Sequence, residues 1–220
     1  MNEFTLEFSE NTIEKNDVIN IELIFPKAKG SSDIATKINS EIESTIIKNI
    51  AFFEEDTNTL NLENAIFEIE KRYTSFKEDF EDSAIKWDVN ISGEVVYKSP
   101  EIITVGLDSY TFTGGAHGNS VITLLNFNSS TGQLLTIEDL FTDKTKLTAI
   151  VKSKLDKEIN LNSSNDSYFF SDGFKLPENI GFSDDGVIFL YNTYEIASYA
   201  QGVTEFTIPY EDIQDMLKVN

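Results

Sequence analysis

The stretch WDVNISGEVVYKSPEIITVGL, residues 87–107, decides the fold. Trp87, Val89 and Ile91 alternate with Asp88, Asn90 and Ser92, the period of two that sends successive side chains to opposite faces of a strand. Val95 and Tyr97 continue the period, Ser99 and Pro100 supply a turn, and Ile103, Val105 and Leu107 resume it. This is a β-meander, so the sheet it belongs to is antiparallel.

Upstream, apolar residues alternate at Phe4, Leu6 and Phe8 and again at Ile19, Ile21, Leu23 and Phe25, where Pro26 ends the run. Glu10-Asn11 and Asn16-Asp17 supply turn chemistry between them, which predicts a hairpin. Ser31, Ser32 or Asp33 caps a helix whose stripe is Ile34, Ile38, Ile42 and Ile46. A second helix carries Leu62, Ile66, Ile69, Tyr73, Phe76 and Phe80. Its seam-like spacing lasts under three heptads, so it is read as a layer on a sheet and not as half of a coiled coil.

Downstream, Thr113-Gly114-Gly115-Ala116-His117-Gly118 interrupts the strand pattern, which resumes from Val121 to Phe127 and turns at Asn128 to Gly132. Thr136 with Asp139 forms a capping box, and a longer helix runs from Asp143 to about Ile159. Asn160 to Ser167 is polar and reads as a mobile loop. Asp185-Gly186 signals a hairpin between Phe182 and Val187–Tyr191, and Glu205–Pro209 is a last strand before a short helix from Tyr210 to Leu217. The fold class is α+β: antiparallel sheets with helices packed on one side, in two small, closely packed subdomains.

The 220 residues carry a formal charge of −21, with 38 acidic side chains against 17 basic ones, of which Arg72 alone is arginine. Nucleic-acid binding needs basic residues gathered on one face, so no nucleic-acid partner is expected. The charge favours encounter with basic proteins, and it also serves solubility. Without cysteine there is no disulfide framework and no thiolate metal site. No apolar run is long enough to span a bilayer, and Met1-Asn2-Glu3-Phe4 lacks the basic and apolar regions of a signal peptide. The chain is therefore either cytoplasmic or exported with its targeting segment removed.

Three segments carry a family resemblance: Tyr110 to Gly118, Gly132 to Phe141, and Tyr191 to Ile213 with its Tyr-Glu-Ile-Ala and Phe-Thr-Ile-Pro-Tyr runs. Together they resemble the extracytoplasmic domain of the RsiV family of lysozyme sensors, the domain of unknown function DUF3298. The part before Tyr110 resembles the DUF4163-like companion domain, which also stands as a non-catalytic module beside polysaccharide deacetylase domains. The resemblance departs at Gly118 and Ser198, where relatives often place proline. It implies domains at 1–109 and 110–220, and a cell-envelope or secreted protein with a lipid anchor. It also implies a lysozyme-like basic protein or a cell-wall glycan as ligand.

Candidate binding residues follow from both readings: Gly114, Gly115, His117 and Asn119 in the glycine segment, and Tyr194, Glu195 and Tyr199 where the family pattern is strongest. The loops 114–119, 160–167 and 198–203 would present them. His117, the only histidine, reads as a cap on a backbone group, with a catalytic or metal-binding role as the alternative. Tyr194 and Tyr199 either present their rings to a ligand or pack under the loop, and Glu195 satisfies neighbouring amides. No calcium loop, phosphate loop, dinucleotide fingerprint or nucleophile elbow occurs, so neither cofactor nor metal is expected. The alternatives to a binding module are a wall-glycan hydrolase or deacetylase-like enzyme using His117 or Glu195, and a structural envelope lipoprotein.

Overall fold

The computed structural model describes residues 6–54, 56–57, 60–162 and 173–219. Most of the polar stretch expected as a loop at 160–167 lies outside these residues, as does Phe4. Within them the order is β1 (Phe8–Lys15), β2 (Asn20–Ala28), α1 (Asp33–Ile50), α2 (Leu62–Asp79), β3 (Asp88–Lys98), β4 (Ile102–Phe112) and β5 (Asn119–Asn128). Next come α3 (Ile137–Leu140), α4 (Lys144–Asn162), β6 (Asn179–Ser183), β7 (Gly186–Tyr191), β8 (Thr204–Pro209) and α5 (Tyr210–Ile213). One sheet has the order β1-β2-β3-β4-β5 and the other β6-β7-β8. The α+β class holds, and the sheets are rich in antiparallel pairs.

Three local readings are corrected. Glu10 and Asn11 do not turn the chain but lie inside β1, opposite Pro26 and Phe25 of β2. The β2–β3 pair is parallel, with Ile21 opposite Val89 and Leu23 opposite Ile91. Two strands pointing the same way need a long crossover, and α1 with α2 provides it. In the β6–β7 hairpin the loop is Asp184-Asp185, because Gly186 pairs with Ser183.

By contacts the chain forms two units, 1–94 with 107–121 and 95–106 with 122–220, so β3, β4 and β5 each lend residues to both. The boundary expected at 109/110 falls inside β4.

In the first unit, the alternation of β2 buries Ile21, Leu23 and Phe25 while Asn20 and Glu22 face solvent. The Ser32 hydroxyl caps α1 by accepting from Ala35 N at 3.2 Å, and the helix buries Ile38, Ile42, Ile46 and Ile50. Each such isoleucine is worth roughly 1.5–3 kcal/mol of transfer free energy. The Asn39 carboxamide accepts from Ala28 N at 2.7 Å and donates to Ala28 O at 3.0 Å. It thereby acts as one more peptide group at the end of β2. In α2, Ile66 and Ile69 are buried as read, whereas the seam frays outward until Phe80 stands exposed.

The second unit packs Leu147, Val151 and Leu155 of α4 with Phe182, Val187, Phe189, Phe206 and Ile208 of the three-stranded sheet. β5 ends the larger sheet; the backbone of Gln133 and Leu135 meets its outer edge at Asn128 and Asn126, while no described strand pairs with it at Ile122 and Leu124. Asparagine side chains take that place. Asn192 accepts from Ile122 N and donates to Ile122 O, both at 2.8 Å. Asn179 accepts from Leu124 N at 3.0 Å, and Asn126 donates to Ile180 O at 2.6 Å. The buried Thr104 hydroxyl completes the set, donating to Asn126 Oδ1 at 2.8 Å and accepting from Phe182 N at 3.2 Å.

Gly186 has φ +152°, and a Cβ there would stand 2.2 Å from the carbonyl oxygen of Ile208. The β7–β8 ladder therefore requires glycine. We expect Gly186→Ala to lose about 3 kcal/mol or more in denaturant unfolding, since backbone has to move; a loss below about 1 kcal/mol would contradict this packing.

Candidate functional site

β4 stops at Phe112 and β5 begins at Asn119, its neighbour in the same sheet, so the glycine segment joins two strands without ending the sheet. Gly114 and Gly115 take φ of +98° and +99°, successive values that residues with a Cβ rarely adopt, and they turn the chain back. At Gly118 a Cβ would meet the Tyr110 ring at 2.3 Å, so the ring lies directly on the glycine backbone. The His117 ring donates from Nδ1 to Gly118 O at 2.8 Å, the backbone-capping role read from the sequence.

A pocket of about 240 Å³ opens beside this turn. Gly114, His117 and Asn119 line it together with Lys48, Asn49 and Phe52 from the end of α1 and just beyond, and with the hydroxyls of Ser109, Thr111 and Thr113. Asn49 donates to Ser109 Oγ at 2.8 Å, fixing one wall. Gly115 is exposed and does not line the pocket. No carboxylate is among the described residues that line it. Among the described residues, no three His, Asp or Glu side chains gather as a metal site requires.

Phe52 and Thr113 also line a larger, shallower groove of about 650 Å³. Its apolar wall is Phe53, Phe76, Phe80 and Trp87, with Phe76 5.2 Å from Phe80 and 5.7 Å from Trp87 between ring centroids. Charged groups rim it as pairs: Arg72 lies 3.9 Å over Phe53 and 2.9 Å from Glu54, and Lys71 is 3.3 Å from Glu68. Phe52 and Phe80 are more than half exposed, at 57% and 59%. The pocket and the groove share an aromatic edge.

The other three candidates lie in the second unit. Tyr194 and Tyr199 form an exposed ring pair, centroids 5.8 Å apart at 34°. They are not packed under the loop. Tyr194 holds φ +67°, a costly conformation for a side chain of this size. Glu195 helps hold the loop in place: its two oxygens accept from Glu178 N at 2.9 Å and Asn192 N at 2.8 Å. Ile196 and Ala197 are buried behind it. With both oxygens so engaged, Glu195 positions the loop.

The pocket residues that the sequence reading missed had a signal. Leu107, Ser109 and Thr111 share one parity of β4, and the hydroxyls fall on its inward side. Phe52-Phe53, just past the end of α1, is the other sign.

Comparisons with known proteins bear on this geometry. Residues 138–211 match the family described as "Protein of unknown function (DUF3298)". Residues 12–120 match the family described as "Deacetylase PdaC". The chain is 23% identical over 225 residues to the peptidoglycan-N-acetylmuramic acid deacetylase PdaC of Bacillus subtilis, a match that takes in 96% of this chain and 47% of that protein. The chain thus spans about half the length of this curated relative. A DUF3298 member from Bacteroides fragilis superposes with a TM-score of 0.67 at 23% identity, covering 97% of this chain and 94% of its own. A DUF3298 protein from Pseudomonas aeruginosa gives 0.61 at 17% identity, covering 97% and 95%. The fold is the one these two structures share.

Glu195→Ala removes acceptors from two backbone amides. We expect a loss of about 1–3 kcal/mol in unfolding and faster hydrogen exchange at Asn192 and Ile122. Unchanged exchange there would show that the loop does not depend on the carboxylate.

Proposed function

We propose that this chain is a non-catalytic module, secreted or held at the bacterial envelope, that binds a cell-wall glycan. The observation carrying the reading is the Gly114–Asn119 pocket, whose described lining offers hydroxyls, carboxamides, an imidazole and the Lys48 side chain and continues into an aromatic groove. A sugar ring has hydroxyls at its rim and an apolar C–H face, which is the pairing of hydrogen-bonding groups and exposed rings offered here. The Bacillus relative supports this reading, since its name places its action on peptidoglycan and this chain aligns with about half of it. The companion-domain resemblance of the first half, the RsiV-like resemblance of the second and a lipid anchor belong to the same proposal.

Calorimetric titration with soluble peptidoglycan fragments tests it. Saturable binding is expected, weakened about tenfold, or about 1.4 kcal/mol, by Asn49→Ala and by Phe52→Ala. Phe67→Ala, exposed on α2 and lining neither pocket nor groove, is the matching control. No binding, or equal binding by all four proteins, would sink the reading.

A second reading rests on the Tyr194–Tyr199 pair and the charge of −21: the chain captures a basic protein such as lysozyme. Exposed charges alone lose their hold near 0.15 M salt, where the screening length is about 8 Å. Binding of a c-type lysozyme that survives that salt and falls with Tyr194→Ala would favour this reading. Binding that disappears with salt would leave only charge.

A further inference from the structure

A pocket of about 310 Å³ in the second unit shares no residue with the one described above. Tyr97, Phe182 and Tyr210 bring three aromatic rings to it, and Ile102, Leu217 and Val219 make it apolar. Tyr97 and Phe182 lie nearly parallel at 28°, centroids 6.3 Å apart, and form one continuous wall. Tyr210 is fixed against them by donating to Ser183 O at 2.8 Å. Burial first, then a hydrogen bond with Tyr97, holds the Tyr210 phenol well above its ordinary value, so it stays neutral.

The polar lining is one-sided. Among the described lining residues Glu101 is the only charged one, exposed and accepting from the Ser99 hydroxyl at 3.3 Å, and Gln214 adds a carboxamide. The Asp184 carboxylate lies near enough to act on Tyr210. Lys218, the cation of the C-terminal segment, is turned away to donate to Glu138 O at 2.5 Å. Electron-rich ring faces attract ammonium groups, and a carboxylate beside them adds to the attraction. An anionic ligand would meet the Glu101 carboxylate and no cation among the described lining residues.

We infer that this pocket binds a primary alkylammonium group with the size and chemistry of a lysine side chain. The apolar stem lies along Ile102, Phe182 and Leu217, and the ammonium group reaches Glu101 across the Tyr97 and Tyr210 rings. The volume is that of a small-molecule site, enough for such a stem. The acidic charge of the chain brings cations towards it. The site stands whether or not the glycan reading does.

The probe is Nα-acetyl-lysine methylamide, followed by NMR of the full chain and set beside its Nε-acetylated, uncharged counterpart. The amine is expected to shift the resonances of Tyr97, Phe182 and Tyr210, and the neutral counterpart to leave them unmoved. Glu101→Gln, a change at an exposed side chain, weakens binding about tenfold. Tyr97→Leu, which keeps the bulk and removes the ring, weakens it about threefold. Phe67→Ala, exposed on α2 and lining none of these pockets, changes nothing. Equal binding by the neutral counterpart, no loss with Glu101→Gln, or no shift at all would each overturn the proposal. A lysine-rich protein and a wall peptide with a free diamino-acid amine are then titrated separately, before and after acetylation of their amines. Loss of binding on acetylation identifies the source, and a response to the small amine alone makes the free amine the ligand.

Discussion

The outer edge of β5 is the constraint on which the second half of the molecule rests. A strand at the end of a sheet leaves a row of amide and carbonyl groups open, and a buried polar group left unpaired costs about 1–3 kcal/mol. Ile122 and Leu124 meet the carboxamides of Asn192 and Asn179, while Asn126 turns its own carboxamide to Ile180. A carboxamide has the donor and acceptor of a peptide bond in the same spacing, so it can occupy a ladder position where no strand runs. Asn39 makes the same two-point contact with Ala28 in the first unit.

This edge organises the surface around it. Asn192 reaches β5 through its side chain, while its own amide is held by Glu195, which also holds Glu178. The loop bearing Tyr194 and Tyr199 is thus tied to the sheet edge through a carboxylate and a carboxamide. A rigid support of this kind lets Tyr194 keep a left-handed backbone conformation with its ring in solvent. The glycine turn obtains the same rigidity differently, from two consecutive positive-φ glycines and from Tyr110 seated on Gly118.

Periodicity made most strands and helices legible: β2, β3, the stripe of α1 and the core face of α4 all follow apolar spacing. It could not show the parallel β2–β3 pair, because strand direction depends on where a long crossover returns and not on local pattern. Of the candidate residues, Gly114, His117 and Asn119 line one pocket, while Glu195 bonds to backbone amides, one of the readings open in the sequence. The asparagines at 179 and 192 were illegible for a physical reason. Asparagine marks turns by default, and its use as a peptide surrogate depends on which backbone lies opposite.

Mapping the chain by amide NMR during titration with peptidoglycan fragments at physiological salt is the most direct test of the central claim that the glycine-turn pocket is the ligand seat. The account predicts that the shifts gather at Asn49, Ser109, Thr111, His117 and Asn119 and extend to Phe52 and Phe80. Shifts confined to Tyr194–Val203, or none at saturating concentration, would contradict it.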